Sequence, residues 1–114
     1  MSPDARKREK LTSIYLRVVS EWVELNIKMS GSIISVTNIS ISEDLGTVKI
    51  LFSVWPDGKE SDVLKSLENS KRELRGHIAE KIKSKFVPKL EFEIDESEKR
   101  RLHIEKLLKN QNKS

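Results

Sequence analysis

The sequence predicts a two-layer α+β sandwich in the order α-β-β-α-α-β, followed by a short C-terminal helix, with the helices on one face of a three-stranded sheet. Three observations predict it. Apolar residues recur at offsets of three and four in two long segments, they alternate with polar residues in shorter runs, and Gly and Pro turn chemistry falls between these stretches. At 114 residues the chain accommodates one core and not two.

The first helix opens at Ser2-Pro3-Asp4, and Leu11, Ile14, Tyr15, Val18, Val19, Trp22 and Val23 mark its buried face. Ser30-Gly31 supplies its stop. Residues 32–55 are rich in Ile, Val and Thr and are broken at Ser42 to Gly46, so they read as two strands joined by a hairpin. Along the second, Val48, Ile50, Phe52 and Val54 share one face. In the first, Ile34 and Val36 have one parity and Ile39 and Ile41 the other, which a bulge near Thr37-Asn38 reconciles.

Trp55 to Glu60 is a turn by its Pro-Asp-Gly chemistry. A helical region follows to about Lys85, with Val63, Leu64, Leu67, Leu74, Ile78 and Ile82 as its apolar stripe. A straight helix there places Lys71 in a core slot, so a break between Asn69 and Arg72 is expected, unless the lysine stem snorkels. Val87-Pro88 ends the helical region, and Leu90, Phe92 and Ile94 alternate with Lys89, Glu91, Glu93 and Asp95 as the third strand. The division is a domain over residues 1–97 and a basic helix and tail over 98–114, with Ile104, Leu107 and Leu108 as a thin apolar seam.

Charged residues make up 35% of the chain but the net charge is only +4, which suits a solvated globular domain better than a disordered polybasic arm. There is no cysteine, so disulfides and thiolate metal sites are excluded. No run approaches the roughly 18 apolar residues of a membrane span, and a cytoplasmic protein without membrane contact is expected.

Charge is unevenly placed. In residues 71–85, Lys71, Arg72, Arg75, Lys81, Lys83 and Lys85 outnumber Glu73 and Glu80, and the tail from Lys99 is again basic. The third strand is acidic. If the helices cover one sheet face, Glu91, Glu93 and Asp95 line the other, where they repel phosphate, so a nucleic acid should meet the helical side. The plain alternative is a solvated helix face.

The stretches VTNISISEDLGTVKILFSV, RELRGHIAEKI and VPKLEFEIDES together resemble the ribosome-binding factor A family of bacterial small-subunit assembly factors, over roughly residues 5–97. The most specific part is Val87, Pro88, Leu90, Phe92, Asp95 and Ser97, joined by Asp44 in the hairpin and Arg75 in the helix. The resemblance implies a type II KH-like fold, binding to immature 30S subunits and 16S rRNA, and promotion of late maturation of the rRNA ends, with importance for growth in the cold. At the helix kink, where the family usually carries Ala-x-Gly, this chain has Ser70, Lys71 and Arg72. The expected RNA contacts are Arg72, Arg75, Lys83 and Lys85, with Lys71 and Lys81, then Arg6, Lys7 and Arg8 of the first helix. A monomer without cofactor, metal or small-molecule substrate is expected.

Enzymatic readings are weaker. His77 and His103 have no metal-ligand spacing. Asp95, Ser97 and His103 lack a nucleophile elbow around the serine, which reads instead as a cap of the tail helix. Glu91 and Glu93 are ordinary outer strand carboxylates, and the scattered glycines form no phosphate loop. The alternative from another class is a protein-interaction module, docking through Trp55 and the seam of residues 104–108; Trp22 falls on the core stripe.

Overall fold

The computed structural model describes residues 3–83 and 86–111. Helix α1 spans Pro3–Asn26, strands β1 and β2 span Ile33–Ile41 and Thr47–Trp55, helices α2 and α3 span Glu60–Asn69 and Lys71–Ile82, strand β3 spans Lys89–Ile94, and helix α4 spans Ser97–Gln111. The predicted order α-β-β-α-α-β is the observed one. The sheet order is β1-β2-β3, with β1 antiparallel and β3 parallel to β2. A parallel neighbour needs a crossover, and α2 and α3 supply it.

Alternation makes the two faces. Val48, Ile50, Phe52 and Val54 are buried, and the register aligns Val48 with Leu90 and Ile50 with both Ile39 and Phe92, so one apolar surface runs across all three strands. The helices cover it: Tyr15, Val19, Trp22 and Val23 come from α1, Val63 and Leu67 from α2, and Leu74 and Ile78 from α3. The strand pairing slips between Val36 and Asn38, leaving Thr37 as the extra residue. This is the bulge that the parity change requires.

Two helix ends differ from the sequence reading. Helix α1 stops at Asn26, short of Ser30-Gly31; at its end the Asn26 side-chain amide donates to the Trp22 carbonyl (2.8 Å), and the Ile27 N–H donates to the Val23 carbonyl (2.9 Å). Gly31, at φ 78, serves the turn into β1 instead. Helix α3 ends at Ile82 rather than near Lys85: Lys83 is left-handed, and its N–H caps the Ala79 carbonyl. The interruption between α2 and α3 falls at Ser70, whose N–H bonds the Ser66 and Leu67 carbonyls. Ser2, the expected helix opener, lies outside the described residues.

Candidate nucleic-acid interface

The outer face of the sheet is charge-matched. Register places Lys49 beside Glu91 and Leu51 beside Glu93; Lys49 Nζ lies 3.4 Å from Glu93, and Lys89 Nζ lies 3.8 Å from Glu91. These pairs contribute little stability, because both partners are solvated, but they offset the carboxylates that the sequence places there.

The helical cations fall into two groups. Lys71 is occupied: its ammonium is 2.8 Å from Glu68 and 5.5 Å from the centroid of the Phe92 ring. Both the break and the snorkel operate, since the helix restarts at Lys71 and its side chain lies over the edge of β3 rather than in the core. Arg75 has a different occupation from a free phosphate ligand. Its two terminal nitrogens donate to the carbonyls of Pro88 (2.5 Å) and Val87 (3.0 Å), which ties α3 to the entry of β3. Its guanidinium also opposes the rise that burial imposes on the Tyr15 phenol of α1.

Arg72, Lys81 and Lys83 are exposed, and no ion pair engages them among the described residues. They form no single cluster. At 100° per residue Arg72 and Lys81 stand on opposite sides of α3, with Arg72 outward beside Gly76 and Lys81 and Lys83 at the far end. Arg6 and Lys7 are exposed on α1. Arg8 is half-buried and shares the Tyr15 side of α1, about 10 Å toward the N-terminus. Lys85 lies outside the described residues.

The motif residues are structural latches. Leu90 is fully buried and Phe92 half-buried under Lys71. Val87 and Pro88 supply the carbonyls for Arg75. Asp44 Oδ1 accepts from the Ser42 hydroxyl (2.7 Å) and the Gly46 N–H (2.9 Å), and these bonds hold its carboxyl below the usual carboxylate range. The Gly46 carbonyl then accepts from Lys89 N, joining the hairpin to β3. Asp95 accepts from the Ser97 hydroxyl (2.6 Å) and N–H (2.9 Å) and from the Thr37 hydroxyl (2.5 Å). Ser97 is therefore the first residue of α4 and a donor, and Asp95 supplies the acceptor that the sequence reading gave to the serine. Thr37 carried no sequence signal as a partner of Asp95, because that contact is long-range, whereas Glu68 and Lys71 stand at the i, i+3 spacing of a helical ion pair.

Among the described residues no group of three or more His, Asp or Glu is placed to hold a metal, and no helix is long and apolar enough to cross a membrane.

The class defined by this geometry is a small α+β sandwich with charge-matched carboxylates on its open sheet face and exposed cations on its helical layer. The profile of the family described as ribosome-binding factor A matches residues 7–108. The chain belongs to the ribosome-binding factor A family. It is 30% identical over 106 residues to ribosome-binding factor A of Chlorobium phaeobacteroides, covering 90% of this chain and 91% of that protein. The crystal structure of ribosome-binding factor A from Thermus thermophilus aligns with a TM-score of 0.67 at 18% identity, over 76% of this chain and 93% of that one. A homology model of the Thermus thermophilus protein, fitted into an electron cryo-microscopy map of its 30S complex, aligns with a TM-score of 0.65 at 16% identity, over 75% of this chain and 91% of that one.

Proposed function

We propose that this protein is a non-catalytic assembly factor of the cytoplasm that binds the immature 30S subunit through 16S rRNA, as a monomer with a type II KH-like fold, and promotes late maturation of the rRNA ends. The observation that carries the reading is the charge partition. Carboxylates on the open sheet face are matched by Lys49 and Lys89, whereas Arg72 and Lys81 on α3, Lys83 at its C-cap, and Arg6 and Lys7 on α1 are exposed cations open to a polyanion. Family membership and the 30S complex of the Thermus thermophilus relative support the choice of polyanion. Lys and Arg contacts to phosphate supply salt-dependent affinity, and the shape of the folded rRNA supplies specificity. Arg75 acts by holding the entry of β3 in place.

The test is sedimentation of the purified protein with immature 30S subunits over a salt series, beside a variant carrying Arg72→Glu, Lys81→Glu and Lys83→Glu. Binding that weakens with salt and is lost in the variant is expected. Equal binding by both proteins, or by neither, refutes the reading.

A further inference from the structure

The end of the sheet opposite the hairpin carries a second surface. Trp55, the last residue of β2, is 67% exposed and forms one wall of a groove of about 440 Å³ with Val54, Ile94 and Leu102, the last contributed by α4. Leu102, Lys106 and Lys109 follow the offsets i, i+4 and i+7, so they share one side of α4, and that side meets the groove. Ile104, Leu107 and Leu108 lie on the other side of the helix, turned from the groove.

We propose that this groove binds single-stranded RNA, one base stacking on the indole of Trp55 and the adjoining phosphates running along Lys106 and Lys109. An exposed aromatic ring with cations leading away from it is the composition of a sequence-tolerant stacking platform. Among the described residues the centre of the open sheet face presents no such ring, and its end has one. The rim also holds the carboxylates of Asp57 and Asp95. Asp95 is turned inward on Thr37 and Ser97, and Asp57 is also engaged within the chain. Lys106 stands about 6 Å beyond Leu102 along the helix, so the phosphates pass outside that rim. The Asp95 turn fixes the first residue of α4 where the helix leaves β3, and Leu102 of that helix meets Trp55 across the groove. A cationic peptide is disfavoured by the same lysines, which leaves an acidic apolar peptide as the competing occupant.

This inference is independent of the α3 contacts, and the experiment separates the two. The full chain carrying Arg72→Glu, Lys81→Glu and Lys83→Glu is titrated with a ten-nucleotide uridine RNA, following tryptophan emission and the anisotropy of end-labelled RNA. Trp22 is buried, so quenching reports Trp55. Quenching is expected to persist in this background. Adding Trp55→Ala should weaken RNA binding about tenfold, the loss of one stacked base. Adding Lys106→Glu and Lys109→Glu should weaken it and reduce the salt slope by roughly 0.7 per phosphate lost. Circular dichroism checks that each variant is folded. Absence of quenching, or undiminished RNA affinity in the folded Trp55→Ala variant, overturns the proposal; quenching by a leucine-glutamate peptide but not by RNA overturns it in favour of a protein partner.

Discussion

The Thr37 hydroxyl donates to the Asp95 carboxylate across the width of β2, joining the bulge of β1 to the end of β3 through residues 58 positions apart. The same carboxylate receives the first N–H of α4. One side chain thus ties both edge strands to the tail helix.

Hydrogen bonds from Ser97 and then Thr37 hold the Asp95 carboxyl below its ordinary value. A lowered folded-state pKa means that the unfolded chain binds the proton more readily, so this contribution is complete above the unfolded value near 3.9 and is lost as pH falls through the lower folded value. Asp95→Asn should therefore lower stability at pH 7 and flatten the acid limb of a pH–stability profile, with Thr37→Val producing a smaller change of the same sign. Chemical denaturation between pH 2 and 7 measures both. A steep acid limb retained by Asp95→Asn assigns that limb to other carboxylates.

Arg75 should behave as a structural residue. Removing its guanidinium leaves the Val87 and Pro88 carbonyls without their donor, so Arg75→Ala is expected to lower unfolding free energy by about 2 kcal/mol. Arg72→Ala, on the solvated side, should leave stability within about 0.5 kcal/mol. Urea denaturation of the two variants distinguishes these roles, and equal stabilities would remove the latch.

Gly76 lies inside α3 on its outward side, and a Cβ there meets nothing within 4 Å. Gly76→Ala should stabilise the isolated protein by about 1 kcal/mol, since glycine is the poorer helix residue and no neighbour resists the methyl group. If α3 lies against rRNA backbone along its Arg72–Gly76 side, the same variant should bind 30S subunits less tightly. A melting curve and a sedimentation assay on one sample test both effects, and greater stability with unchanged subunit affinity would place the rRNA elsewhere.

In the hairpin, a Cβ on Gly46 would stand 3.2 Å from both carboxylate oxygens of Asp44. Gly46→Ala should displace that carboxylate and loosen the loop that anchors Lys89 N. Faster amide exchange at Gly46, Thr47 and Lys89, with α1 unchanged, is the expected signature. Unchanged exchange at Lys89 would mean that the loop holds β3 without the Asp44 bonds.

Much of the candidate interface is legible in the sequence as residue types and little of it as geometry. Lys71, Arg72, Arg75, Lys81 and Lys83 were all identifiable as cations in one segment. Helical spacing sets Arg75 nearer the Leu74–Ile78 stripe than Arg72, but nothing local names its partners, because the carbonyls that occupy Arg75 arrive from 12 and 13 residues away.

By itself the sequence determined what depends on neighbours along the chain. Periodicities of 3.6 and 2 mark the helices and strands, the parity change marks the bulge at Thr37, Lys71 marks the break at Ser70, and Pro-Asp-Gly marks the turn into α2. Only the tertiary structure decided that β3 runs parallel beside β2, that Lys71 rests on Phe92, that Asp95 joins three elements, and that α4 turns Leu102 rather than Ile104, Leu107 and Leu108 toward Trp55. The physical reason is that these contacts join residues distant in sequence, and a side chain's partner there is set by how packed layers meet, which local propensity does not encode.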